Sequence, residues 1–107
     1  MAWLVRDGEV LASVELADGR AARRRGLLGR EDFDGVLRLK ARSVHTVGMR
    51  FGIDAAFCET DGTVRRVVTV QPWRVTRPQL RPTIVFEARQ GTFREWNLRP
   101  GDHLEVR

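Results

Sequence analysis

The chain has 107 residues and a formal net charge of +5, from 19 Lys and Arg residues against 14 Asp and Glu residues. This length suits about one domain, which excludes a two-domain enzyme with a separate cofactor lobe. Hydrophobic residues make up 42% of the chain. This share is typical of a folded protein, so disorder is not expected. No apolar run approaches the roughly 18 residues of a membrane span, so a spanning helix is not expected either.

Arginine supplies nearly all of the positive charge, because Lys40 is the only lysine. The arginines are spread along the chain, which favours a role in solubility over one dedicated partner. Cys58 is the only cysteine, so an intramolecular disulfide and a CxxC redox pair are excluded. The first residues lack a secretory signal, and a cytoplasmic location is therefore expected.

The first half of the chain predicts strands around one short helix. Val10 to Leu16 alternates as a strand does, and Asp18 is placed to cap a helix from about Arg20 to Leu28. Val36 to Leu39 and Ser43 to Val47 predict two further strands.

The clearest element is a hairpin, in which two alternating runs, 53–60 and 63–70, flank Asp61-Gly62. This dipeptide favours a two-residue type I′ turn, which would place Thr60 opposite Thr63. The resulting register predicts a core side made of Ile53, Ala55, Phe57, Val68 and Val70. The opposite side would carry Asp54, Ala56, Cys58, Arg65, Val67 and Thr69, a mixed surface that is either covered by another layer or lines a cleft.

The second half ends in strands and one helical turn. Prolines confine 71–81 to an extended connection, and Thr83 to Ala88 predicts an apolar strand. Thr92 and Glu95 have capping-box spacing for one helical turn, and residues 104–106 alternate as a last strand. We therefore expect one domain over residues 1–107: mainly β, a single strongly bent antiparallel or mixed sheet or half-open barrel, with one short helix and one helical turn.

Several strings resemble the family called domain of unknown function 192, over about residues 10–106. They are Arg25-Gly26-Leu27-Leu28, His45-Thr46-x-x-Met49-Arg50-Phe51-x-Ile53-Asp54, Asp61-Gly62-Thr63-Val64 and Phe86-Glu87-Ala88. The resemblance implies a small, mostly bacterial protein with a strongly bent β fold, and it implies no particular activity. Some members occur near pilus or secretion genes, which implies such components as candidate protein partners.

One group of polar residues suggests a binding site. His45, Thr46, Met49, Arg50 and Asp54 are the candidate ligand-binding residues, set around a shallow cleft in which arginine recognises an anionic or hydroxylated ligand. The alternative is that Asp54 forms an internal ion pair or cap. The favoured function is a non-catalytic accessory module that binds a small ligand or a protein, with no cofactor.

Catalysis and metal binding are alternatives to a binding function. A small hydrolase-like enzyme would use His45 and Asp54 as an acid–base pair. Cys58 is interpreted as a buried, inert thiol rather than a nucleophile. A copper or zinc site that joins His45 to Met49 is disfavoured, because these residues would lie about 13 Å apart in an extended strand.

Nucleic-acid binding is the third possibility. Trp73 lies beside Arg74, and aromatic stacking next to basic side chains suits a single strand. The alternative is that Trp73 pins the proline-rich connection onto the sheet.

Overall fold

The computed structural model describes residues 1–17 and 33–107, and the predicted helix from about Arg20 to Leu28, with its Asp18 cap, lies outside them. The strands are β1 (Ala2–Arg6), β2 (Glu9–Leu16), β3 (Val36–Ala41), β4 (Ile53–Cys58), β5 (Val64–Val70), β6 (Thr83–Arg89) and β7 (Glu105–Val106), and a short helix, α1 (Thr92–Glu95), precedes β7. The predicted strands at 36–39 and 83–88 and the helical turn are confirmed as β3, β6 and α1.

The strands form one seven-stranded sheet in the order β5-β4-β6-β3-β2-β1-β7. Every pair of neighbours is antiparallel except β2 and β3, which are parallel. The sheet curls into a half-barrel, which confirms the predicted fold class. In residues 1–17 and 33–107, no helix is both long enough and apolar enough to cross a membrane.

The two edges of the sheet meet at one end of the half-barrel. Thr63, just before β5, forms an isolated bridge with His103, just before β7. The Val64 N–H donates to the Asp102 carbonyl at 2.8 Å, and the Gly101 N–H donates to the Val64 carbonyl at 2.7 Å. This closure draws the loop after α1 across the concave side of the sheet.

The register of the β4–β5 hairpin is as predicted from Ile53 to Phe57, but nearer the turn Cys58 pairs with Val64, and Thr60 does not lie opposite Thr63 as predicted. The pairs are Ile53–Val70, Asp54–Thr69, Ala55–Val68, Ala56–Val67 and Phe57–Arg66. Gly62 has φ 97° while Asp61 has a negative φ, and the Gly62 N–H donates to the Glu59 carbonyl. The connection therefore has three residues, and a bulge at Arg65 restores the register.

Side-chain chemistry explains why the predicted type I′ turn is wrong. The Asp61 carboxylate accepts a hydrogen bond from the Thr63 N–H at 2.8 Å. This Asx-turn stabilises Asp61 with a negative φ. A type I′ turn occurs elsewhere, at Asp7-Gly8, where both residues have positive φ and Arg6 pairs with Glu9. This turn joins β2 to β1, a strand that the sequence analysis did not predict.

A hydrophobic core lies on each face of the sheet. The convex core contains Phe33, Leu37, Leu39, Val44, Met49, Ile53, Ala55, Phe57, Val70 and Val85. The concave core contains Leu4, Val14, Val36, Ala56, Cys58, Val64, Phe86, Phe93, Leu98 and Leu104. All six residues of β4 are buried because this strand contributes to both cores. The predicted core positions of the hairpin are confirmed, with Val68 partly buried against the convex core.

The predicted strand at 43–47 is a single bridge in the structure, between His45 and Val75. The Thr76 N–H donates to the Val44 carbonyl, and the Gln79 N–H donates to the Arg42 carbonyl. Residues 42–46 therefore run beside the proline-rich connection rather than along the main sheet.

Candidate functional site

The five candidate residues are divided between the surface and the interior. His45 and Arg50 are exposed, whereas Thr46, Met49 and Asp54 are buried. Met49 packs into the convex core, and Asp54 points to the concave side of the sheet. The structure therefore does not gather all five around one hollow, and their role in binding stays a prediction.

Asp54 caps the helix α1 from a neighbouring strand. One carboxylate oxygen accepts hydrogen bonds from the N–H groups of Gly91 and Phe93, each at 3.0 Å. The other oxygen accepts a hydrogen bond from the Thr69 hydroxyl at 2.9 Å. The N-cap residue of α1 is Gly91, which has no side chain, so the predicted capping box is wrong and β4 supplies the acceptor instead.

Thr46 organises the turn formed by residues 71–74. Its hydroxyl donates to the Gln71 carbonyl and accepts a hydrogen bond from the Arg74 N–H at 3.0 Å. Its backbone N–H donates to the Arg74 carbonyl at 2.8 Å, and its carbonyl accepts from the Trp73 N–H at 2.9 Å. Thr46 is fully buried, so it contributes to this region as an internal anchor.

The turn presents Trp73 to solvent. Trp73 is 64% exposed, so it does not pin the proline-rich connection onto the sheet, and that interpretation is wrong. Its φ is 62°, a left-handed conformation that bulky residues rarely adopt. His45, Val47, Arg74 and Val75, all exposed, lie on the two paired segments beside it. We call these five residues the Trp73 surface.

A cleft of about 790 Å³ lies between the tip of the β4–β5 hairpin and the proline-rich segment. Its lining includes Glu59, Thr60, Arg65, Arg77, Arg81 and Thr83. We call it the arginine cleft. The sequence analysis missed it, although one signal was present: residues 62–86 contain no Asp or Glu.

Cys58 lies at the wall of the arginine cleft but is fully buried. Burial, reinforced by the negative charge of Asp61, raises the pKa of its thiol to about 12. The reactive thiolate is therefore scarce near neutral pH, which agrees with the inert reading of this cysteine. Among the described residues, no three His, Cys, Asp or Glu side chains are grouped as metal ligands.

Glu87 is a buried acid that the sequence analysis did not single out. It lies on β6, where Leu37 and Ala55 are its cross-strand neighbours, and it is 3% exposed. Burial raises the pKa of its carboxyl from 4.5 to about 7. A carboxyl placed among apolar neighbours keeps its proton far above the usual pH because its charged form is poorly solvated.

Comparison with known proteins identifies the fold. A family model described as "Uncharacterized ACR" matches residues 2–106. A candidate transcription regulator from Sinorhizobium meliloti 1021 has 24% identity and a TM-score of 0.81, over 98% of this chain and 91% of its own. A protein of unknown function from Novosphingobium aromaticivorans DSM 12444 has 20% identity and a TM-score of 0.81, over 97% of this chain and 82% of its own. The curated proteins contain no match to the chain.

Proposed function

We propose that this chain, which belongs to the family of domain of unknown function 192, is a non-catalytic module that binds a protein partner through the Trp73 surface. The observation that carries the proposal is the exposed Trp73 ring, held outward on a backbone of positive φ. Two side chains that an enzyme could use, Asp54 and Cys58, are unsuited to catalysis. The Asp54 carboxylate is bonded to internal donors, and the Cys58 thiol is neutral.

The conformation of Trp73 has an energetic cost that neither its backbone nor its packing within the chain explains, which supports a role in contact with a partner. A left-handed conformation costs a residue with a side chain about 1–2 kcal/mol, and glycine would avoid this cost. Exposure of the indole to water is a second cost, because its apolar area stays unburied. The hydrogen bonds of Thr46 hold the turn in place against the strain.

The neighbouring side chains indicate what kind of partner fits. Val47 and Val75 are exposed apolar residues, and Arg74 and His45 add basic or polar groups on the same two paired segments. Residues 35–53 and 62–86, which supply this surface, contain no Asp or Glu. Tryptophan and arginine are typical anchors of protein interfaces. An acidic polypeptide segment with apolar side chains therefore complements the surface in both charge and polarity.

Selection from a random peptide display library tests this function directly. We expect the selected peptides to combine Asp or Glu with aromatic or aliphatic residues, and synthetic copies to bind the full chain. Trp73→Ala should weaken their binding about thirtyfold or more, as loss of a central anchor does. Trp3→Ala is the matched control, since Trp3 is also exposed but lies on β1. The proposal would be refuted if no peptide is enriched, or if Trp73→Ala and Trp3→Ala weaken peptide binding equally.

Single-stranded nucleic acid is the competing partner for an exposed tryptophan beside arginine. Val47 and Val75 disfavour it, because aliphatic side chains gain little from a phosphate backbone. A fluorescent oligothymidine titrated at low and moderate salt separates the two functions. Tight binding that depends on Trp73 and exceeds the binding of the selected peptides would replace the proposal with the nucleic-acid alternative.

A further inference from the structure

We infer that the arginine cleft is a second binding site, which takes a small organic anion bearing a phosphate or carboxylate group. The site is separate from the Trp73 surface, and the inference goes beyond the proposed function. It rests on the charges that line the cleft, on the fixed backbone of its proline-rich wall and on its size.

The charges in the cleft are predominantly positive. Its lining includes three arginines, Arg65, Arg77 and Arg81, and one glutamate, Glu59. Arg65 and Glu59 are 3.8 Å apart with both side chains about half exposed, so their pairing is weak and solvent-screened. Within the described residues, Arg77 and Arg81 have no carboxylate at ion-pair distance. Their guanidinium groups are available for an external anion.

Two prolines and one backbone hydrogen bond restrict the wall that carries Arg77 and Arg81. Pro78 and Pro82 each restrict a backbone dihedral angle next to one of these arginines. The Gln79 N–H, between them, donates to the Arg42 carbonyl at 2.8 Å. The backbone is thus held before a ligand arrives, which lowers the entropy lost on binding.

The size and the remaining lining define the class of ligand. A volume of about 790 Å³ lies within the range of small-molecule pockets and far exceeds the needs of a bare phosphate ion. Arginine forks bind phosphate and carboxylate oxygens in pairs. Thr60 and Gln79 offer hydrogen bonds, while Pro78 and Leu80 offer apolar contact. The occupant therefore combines an anionic group with a larger organic body.

Calorimetric titration of the full chain tests the site with three probes: ADP, citrate and inorganic phosphate. We expect ADP or citrate to bind with a Kd below about 1 mM, and inorganic phosphate to bind more weakly. If ADP binds more tightly than citrate, phosphate is the recognised group. If citrate binds more tightly, carboxylate is the recognised group. Higher salt should weaken binding, because an exposed ionic contact is screened.

Two variants and two controls locate the binding. Arg77→Gln and Arg81→Gln should each raise the Kd of the preferred probe about tenfold or more, because each removes a charge-assisted contact. Arg94→Gln, on the exposed face of α1, should leave this Kd unchanged. Trp73→Ala should also leave it unchanged, which separates this site from the Trp73 surface.

Three results would overturn the inference. The first is that neither ADP nor citrate binds. The second is that binding survives in the double variant Arg77→Gln and Arg81→Gln. The third is that Arg94→Gln weakens binding as much as the cleft variants do. Peptide binding at the Trp73 surface can stand or fail independently of each result.

Discussion

Replacement of Asp54 by alanine should destabilise the fold strongly, because it strands hydrogen-bond donors inside the protein. The Thr69 hydroxyl can turn to water, since Thr69 is exposed, but the Phe93 N–H lies in the buried interior. Hydrogen bonds to a charged group contribute about 1.5–3 kcal/mol each, and an unpaired buried donor costs about 1–3 kcal/mol. The two backbone bonds, to Gly91 and Phe93, therefore predict a loss of about 3–5 kcal/mol.

The asparagine variant sharpens this prediction. In Asp54→Asn the amide oxygen can still accept both backbone N–H groups, and the amide nitrogen can donate to the Thr69 hydroxyl oxygen. Only the charge assistance is lost, so we expect a cost of about 1 kcal/mol. Alanine and asparagine should therefore differ by at least about 2 kcal/mol.

Urea denaturation of the full chain, followed by circular dichroism, measures these differences. Asp34→Ala, at an exposed position, is the control and should stay within about 0.5 kcal/mol of the parent. In a thermal scan, Asp54→Ala should unfold roughly 12 °C or more below the parent. An Asp54→Ala variant within about 1 kcal/mol of the parent would refute the assignment of Asp54 as the cap of α1.

Three further predictions follow from buried or crowded groups. Burial raises the pKa of Glu87 from 4.5 to about 7, so the part of the stability that depends on Glu87 is greatest below pH 4.5 and falls by about 3 kcal/mol as the pH rises to about 7. Glu87→Gln should abolish this fall in urea titrations at several pH values, and an unchanged pH dependence would contradict the assignment. Gly62→Ala should cost at least about 2 kcal/mol more than Gly101→Ala: both have φ near 97°, but only at Gly62 would the new methyl group run into a backbone carbonyl, that of Leu104. Equal melting temperatures for the two variants would contradict this predicted clash at Gly62. Cys58 should react with iodoacetamide more slowly than a free thiol until urea unfolds the chain, and fast alkylation of the native protein, seen by mass spectrometry, would show an open thiol.

The hairpin shows how far the sequence alone reaches. Its alternation set the register of β4 and β5 correctly, because a shift by one residue would turn Phe57 and Ile53 to the wrong side. The turn was misjudged because the same Asp-Gly dipeptide forms a two-residue turn at Asp7 and a three-residue turn at Asp61. At the second position, the Asx bond and the contact with the loop before β7 decide the conformation, and that loop is about forty residues away.

The candidate site was harder to predict, since it depends on contacts between distant segments. Asp54 alternates away from the convex core as expected, but the layer that covers it comes from residues 91–104. Trp73 is exposed because Thr46, from another part of the chain, fixes the backbone of the turn. The local pattern of hydrophobic residues predicts neither the sign of a φ angle nor the formation of a cleft between distant segments. Of the predicted group, only His45 belongs to the Trp73 surface.

The bridge between Thr63 and His103 bears on how the molecule behaves at high concentration. Outer strands with unsatisfied amides recruit further copies and can template fibrils. Here Val64, at the start of one outer strand, already exchanges hydrogen bonds with the segment before the other, and the bulge at Arg65 distorts the stretch that follows. The first residue of this outer strand is therefore unavailable for pairing with the backbone of a second copy.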